Sequence, residues 1–256
     1  MGPAIFKKKV GETLYSIRCI PFGGYCAMEG EDGGSDNPRS FHSAAWWKRL
    51  IILVAGSAMN FLSGFVILAI ILSCLGAVTL PVISFMEGGS LVGGENGLQV
   101  GDEILKVDGY RVYAQSDFSM ILYLHPGEVH DVTVRRDGKT VELEDFTMKM
   151  AEFPNGDGTT TLRYGFSFTN APISVGTVLR QAWRECLSII QQVFMSLEML
   201  LTGQLGLQDM SGPVGIVDMM AQVGSQSETT LLAVLNVLNI GAFLAVNLAV
   251  MNMLPI

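Results

Sequence analysis

The 256-residue chain is 49% hydrophobic and only 16% charged, with a net charge of −8 and a positive mean hydropathy. That balance argues against a nucleic-acid-binding protein, which needs a basic surface, and against a wholly soluble domain of ordinary composition. It fits an integral membrane protein that also carries one small water-facing domain.

At the N-terminus, Lys7, Lys8 and Lys9 are followed by Val10-Gly11-Glu12-Thr13 rather than by an apolar core, so no signal peptide is expected there. Residues 12–28 read as two short strands around Pro21-Phe22-Gly23-Gly24, a turn by composition. This hairpin is too apolar for a free loop and is expected to dip into the membrane interface or the bilayer, where its edges need protein cover. A Gly-, Asp- and Ser-rich linker follows from Glu29 to Ser40, and then Trp46-Trp47-Lys48, which suits an interfacial anchor.

An uncharged run extends from Leu50 to Met86, and its first part exceeds the roughly 20 apolar residues that cross a bilayer core. All seven cations before it (Lys7, Lys8, Lys9, Arg18, Arg39, Lys48, Arg49) place residues 1–47 in the cytoplasm by the positive-inside rule, with residues 48–76 as a transmembrane helix. The next segment, 81–170, is therefore expected outside. It alternates short strands and turns: Val82–Phe85, Glu103–Val107, Val132–Arg135 and Val141–Leu143 are strand candidates, Asp108-Gly109 and Asp137-Gly138 are turns suited to positive φ, and Ser116–Leu124 is a short helix.

Residues 173–202 form a helix of another kind, with Arg180, Gln181, Arg184, Ser188, Gln191 and Gln192 in a polar stripe. Too few residues separate Glu185 from Glu198 to span a bilayer, so the helix is expected to lie on the membrane surface. Residues 203–230 read as a loop. The last 26 residues, Leu231 to Ile256, carry no charge and four asparagines and read as a second, incomplete transmembrane helix. Asn236 and Asn239 suit helix–helix hydrogen bonds, whereas Asn252 precedes Pro255, which cannot continue a straight helix. The cysteines, Cys19, Cys26, Cys74 and Cys186, show no metal spacing and read as reduced.

Four segments carry a resemblance: Ile20-Pro21-Phe22-Gly23-Gly24-Tyr25-Cys26-Ala27-Met28; Val54-Ala55-Gly56-Ser57-Ala58-Met59-Asn60-Phe61; Gly97-Leu98-Gln99-Val100-Gly101-Asp102-Glu103-Ile104-Leu105-Lys106-Val107-Asp108-Gly109; and Ser211-Gly212-Pro213-Val214-Gly215-Ile216 with Asn247 and Asn252-Met253-Leu254-Pro255-Ile256. In this order they resemble the bacterial site-2-type intramembrane zinc metalloproteases, the RseP/RasP branch, except that Ser57 stands where the family usually has proline.

The resemblance implies an α-helical polytopic membrane protein of the bacterial cytoplasmic (inner) membrane, with a re-entrant β-hairpin and an inserted α/β PDZ-like domain. It implies zinc, held by an H-E-x-x-H helix that would precede Met1 and by an aspartate of a Leu-Asp-Gly motif that would follow Ile256. The chain is accordingly expected to be truncated at both ends and to lack its zinc ligands; His42, His125 and His130 read as solvated or structural.

Transmembrane regulators or signal peptides are the implied substrates. Phe22, Gly23, Gly24 and Tyr25 are expected to accept an unwound substrate strand, Asn252 to donate to its backbone, and Asn60 to brace that region. Val82, Ile83, Ser84 and Phe85 are expected to form the groove strand where the PDZ-like domain takes a peptide or protein. The competing reading is a noncatalytic membrane adaptor that presents this domain. A transporter is disfavoured because no charge lies inside either span, Lys48 and Arg49 only capping the near end of the first.

Overall fold

The computed structural model describes residues 4–19, 27–30, 37, 40–88, 90, 92–94, 96–155, 159–203, 213–227 and 229–254. The chain divides after Val54 into two compact units. The first contains an antiparallel hairpin of β1 (Ala4–Val10) and β2 (Thr13–Arg18), turned at Gly11-Glu12, with Gly11 at φ +63°. Thr13–Arg18, the first half of the predicted hairpin of residues 12–28, is a strand and pairs with the residues before it, turning where a left-handed φ favours glycine; the predicted turn, Pro21-Phe22-Gly23-Gly24, lies outside the described residues. Phe22, Gly23, Gly24 and Tyr25 lie outside the described residues.

Helix α1 (Trp46–Cys74) begins in the first unit and continues into the second. With α5 (Thr230–Met251) it is one of two helices among the described residues that are long and apolar enough to cross a membrane. Both keep exposed apolar flanks, including Leu50, Ile52, Met59 and Leu62 on α1 and Leu231, Val234, Phe243 and Leu248 on α5. Such surface suits lipid better than water. Thr229 caps α5, its hydroxyl accepting the Leu232 N–H at 3.2 Å.

Between these helices in sequence lies a mixed domain: β3 (Ala77–Met86), β4 (Glu103–Val107), β5 (Tyr110–Arg111), α2 (Gln115–Leu124), β6 (Val129–Arg136), β7 (Lys139–Thr147), β8 (Ala151–Pro154), β9 (Thr160–Arg163) and β10 (Phe166–Pro172). The main sheet runs β10-β3-β4-β6-β7 with antiparallel neighbours, β5 pairing beside β4, while β8 and β9 form a separate hairpin. Ile83, Ile104, Val107, Val132 and Val134 pack with Leu98 and with Phe118 and Ile121 of α2, Val132 and Val134 by the period-2 alternation of a strand and Ile104 and Val107 across a register shift in β4. Asp108-Gly109 and Asp137-Gly138 take positive φ at all four residues, +49°, +83°, +50° and +77°, as expected of those turns.

Helix α3 (Val175–Thr202) starts at Ser174, whose hydroxyl accepts the Thr177 N–H, and stops at Gly203, φ +75°. The segment predicted as a loop contains α4 (Pro213–Gln226). Proline in the first turn has no N–H to lose there, so a residue that ends helices elsewhere starts this one.

Candidate functional site

Strand β3 carries the predicted groove residues, and the sheet order overturns that assignment. It pairs with β10 on one side, from Pro172↔Ala77 to Phe166↔Met86, and with β4 on the other through Val82↔Glu103. The Ile83 N–H donates to Asp102 O at 2.9 Å, and the Ile83 carbonyl accepts from Gly101 N at 2.8 Å. Val82, Ile83, Ser84 and Phe85 therefore lie inside the sheet, and Ile83 is fully buried. A strand cannot be added where both neighbours are already present.

Among the described residues no strand pairs with the outer side of β10, the neighbour of β3. Tyr164, Phe166 and Phe168 recur at alternate positions, and each meets the Phe118 ring of α2 edge-on, with centroids 6.0, 5.7 and 5.9 Å away. A strand edge without a strand neighbour can bind an extended polypeptide, its backbone groups supplying the hydrogen bonds. The sequence signal was the alternation Tyr164-Gly165-Phe166-Ser167-Phe168, but nothing in it showed that the last strand would border the first.

The helix beside this edge is fixed from behind. Asp117, buried in the first turn of α2, accepts the backbone N–H groups of Tyr113 and Ala114 on Oδ2, at 2.8 and 3.0 Å. Its Oδ1 accepts the Ser188 hydroxyl of α3 at 2.5 Å. The polar stripe of α3 continues this contact: Arg184 pairs with Glu103 at 2.7 Å, Gln191 donates to Arg111 O at 2.8 Å, and the Tyr110 hydroxyl donates to Glu198 at 2.9 Å. The polar stripe of the helix expected to lie on the membrane surface thus faces the sheet domain. The other side of α3, through Val178, Ala182, Cys186 and Ile189, packs with Leu68 and Leu72 of α1 and with Ala242 and Val246 of α5.

Charges along α3 are tuned by this burial. Desolvation would raise the Glu103 carboxyl, but the guanidinium groups of Arg184 and Arg135 hold it below the usual range. Glu185 has no such partner: burial pushes its carboxyl up, the Gln181 amide opposes this, and the nearby charge of Asp117 adds to the rise. Burial and the neighbouring Glu185 push the Cys186 thiol up to about 11. Cys19, Cys74 and Cys186 are free thiols.

Asn60 is half-buried on α1, and Asn252 is exposed at the C-cap of α5, its N–H bonded to Leu248 O at 3.0 Å. No hydrogen bond joins the two among the described residues. Asn236 donates to the Ser227 hydroxyl at 3.1 Å, tying α5 to the end of α4.

His130 is buried, with Nδ1 2.7 Å from Asp108 Oδ2 and Nε2 3.1 Å from Gly127 O, so both ring nitrogens are engaged. His125 lies against the Tyr110 ring and His42 is exposed. Among the described residues no group of three or more His, Cys, Asp or Glu side chains is arranged to hold a metal ion. These residues do not fit a zinc site.

Comparison with known proteins gives the family. The chain is 31% identical over 256 residues to a protein of Clostridium perfringens whose name designates a zinc metalloprotease, covering all of this chain and 72% of that relative. It is 31% identical to the zinc metalloprotease RasP of Bacillus licheniformis, covering all of this chain and 78% of that relative, and 30% identical to the regulator of sigma-W protease RasP of Bacillus subtilis, covering 85% of this chain and 49% of that relative. The family model for peptidase family M50 matches residues 1–256. With two apolar helices of spanning length and a match along its whole length, the chain belongs to peptidase family M50, the site-2 metalloproteases.

Proposed function

We propose that this metalloprotease cuts membrane-spanning polypeptides, such as membrane-anchored regulators or signal peptides, from within a bacterial cytoplasmic membrane that it crosses more than once. Its sheet domain is PDZ-like and takes an extended segment of substrate, or of a partner protein, along β10. The observation that carries this reading is the open β10 edge beside α2, fixed through Asp117–Ser188 to a helix that packs on both apolar helices. Membership of a peptidase family favours the enzyme over the adaptor reading.

The zinc carried in the relatives' names would activate water for peptide hydrolysis when bound. Among the described residues no side chains are arranged to hold it. The contributions of this chain are to hold and to unwind. A helical amide is shielded by its own hydrogen bonds, and unwinding leaves backbone groups that need partners in the bilayer. Phe22, Gly23, Gly24 and Tyr25 are proposed to offer strand partners, Asn252 to donate its amide to the unwound backbone, and Asn60 to brace the same region.

The β10 assignment is tested by amide hydrogen exchange on the purified protein while it is titrated with extended synthetic peptides taken from the flanks of candidate membrane-spanning substrates. At a peptide concentration about ten times its Kd, the amides of Phe166–Thr169 are expected to exchange about tenfold more slowly. Slowing confined to β7, the other edge, would assign the groove elsewhere.

A further inference from the structure

Gln181 and Glu185 stand one turn apart on α3, where that helix lies between the sheet domain and the apolar helices. The Gln181 amide donates to Glu185 Oε1 at 3.0 Å. Its other end is bare: Gln181 is 2% exposed, and its carbonyl oxygen has no hydrogen-bond partner. Buried acceptors nearly always find a donor, because an unmet one keeps its full desolvation penalty. Turning the amide over does not help, since it sets the carbonyl against an ionised carboxylate.

The groups around Glu185 oppose its ionised form. From α2 it faces Asp117, a second anion. Strand β3, helix α5 and residues 61–72 of α1, which pack on α3, are uncharged. On β4, Glu103 is held by Arg184 and Arg135. On α3 itself Arg184 is thereby occupied, Arg180 is exposed, and the Cys186 thiol, pushed up to about 11, is neutral. Burial pushes the Glu185 carboxyl up, and the Asp117 charge adds to the rise against the opposing Gln181 N–H.

We propose that Glu185 is held as the neutral acid and donates its O–H to the Gln181 carbonyl, so that acid and amide pair through two hydrogen bonds and form a proton-dependent clamp between α3 and the sheet domain. The proton sits on Oε2, the oxygen that does not accept the Gln181 N–H. Its loss leaves Gln181 without a donor and sets a second anion against Asp117. That carboxylate is the contact between the two helices: Oδ1 accepts the Ser188 hydroxyl of α3, and Oδ2 accepts the Tyr113 and Ala114 N–H groups at the start of α2. Repulsion at this depth is weakly screened, so it falls on the join between α2 and α3. Because the folded carboxyl is raised, the folded protein binds more protons than the unfolded chain above the ordinary glutamate range. The clamp is therefore fully set below that range and is lost as pH rises through the folded titration. The role is separate from peptide binding at β10.

The test uses the full protein in phosphatidylcholine nanodiscs. Infrared difference spectra between about pH 5 and about pH 9 are expected to show a carboxylic-acid C=O band that persists above the ordinary glutamate range and is lost at the upper pH. Glu185→Gln, whose amide donates to Gln181 without titrating, lacks the band. Asp117→Asn, which removes the facing charge, moves its midpoint to lower pH. Hydrogen exchange at Tyr113 and Ala114, corrected for the intrinsic pH dependence of exchange, is expected to be about tenfold faster at the upper pH in the wild type and equal at both in Glu185→Gln. Unchanged exchange at Val132 and Val134 in both variants controls for folding. No acid band above the ordinary range, a band that survives in Glu185→Gln, a midpoint that Asp117→Asn leaves unmoved, or wild-type protection independent of pH would overturn the proposal and leave a buried water as the donor to Gln181.

Discussion

Replacing Asp102 by alanine is expected to destabilise the sheet domain by about 3 kcal/mol, the lower end of the range for breaking a buried ion pair by removing one partner. Asp102 is fully buried. Its Oδ1 accepts Arg136 Nε at 2.8 Å, and its Oδ2 accepts Arg136 Nη2 at 2.7 Å and the Gln99 N–H at 2.8 Å. Alanine leaves Arg136 the Gly97 carbonyl as acceptor, at 2.8 Å, and removes the carboxylate that the Gln99 N–H reaches at the turn where Gly101 takes φ +96°. The Arg136 side chain is 20% exposed, so water recovers part of the loss, which is why the lower end applies. The opening free energy measured by hydrogen exchange at Ile104 and Val134 reads the effect. A loss below about 1 kcal/mol would mean that the fork is ornamental.

Gly64→Leu is expected to separate α1 from α5. A Cβ at Gly64 would lie 2.5 Å from Val246 Cγ2 and 3.1 Å from the Ala242 carbonyl oxygen, so even alanine overlaps its neighbours. The valine methyl can turn aside but the carbonyl cannot, because it belongs to the α5 backbone. Overpacking of this kind costs about 1–3 kcal/mol for small additions and more for leucine. Close approach through small residues is how helices pack in lipid, where no hydrophobic force holds them together. Denaturant unfolding in mixed micelles should show Gly64→Ala losing about 1–3 kcal/mol, Val246→Ala recovering part of that loss in the double variant, and Gly64→Leu losing more than either. Wild-type stability in Gly64→Leu would contradict this packing.

The parts of the fold legible in the sequence were those set by local chemistry. The uncharged runs marked α1 and α5 to within a few residues, and Asp108-Gly109 and Asp137-Gly138 marked their turns because few other pairs accept positive φ. Helix α2 was expected to open at Ser116 and opens at Gln115, with Asp117 reaching back to the Tyr113 and Ala114 N–H groups. What stayed hidden was set by distant partners or by composition that misleads. The lysine run of β1 masks its alternation, and Gly-Pro-Val-Gly conceals α4.

Sheet order is the larger lesson. Nothing local tells β3 that its neighbours are β10 and β4, so a strand with suitable residues was assigned to the groove when its edges are already paired. The polar stripe of α3 was misread for a related reason. Ser188, Gln191 and Arg184 look the same in sequence whether they face water, headgroups or a carboxylate such as Asp117 or Glu103.

Proteolysis of a membrane-spanning polypeptide is measured most directly as cleavage in vesicles. The protein, as its organism makes it, is reconstituted with a single-span substrate, and the new ends are located by mass spectrometry. Cleavage within the apolar span is the predicted result. An intact substrate, or cuts confined to its water-exposed flanks, would contradict it.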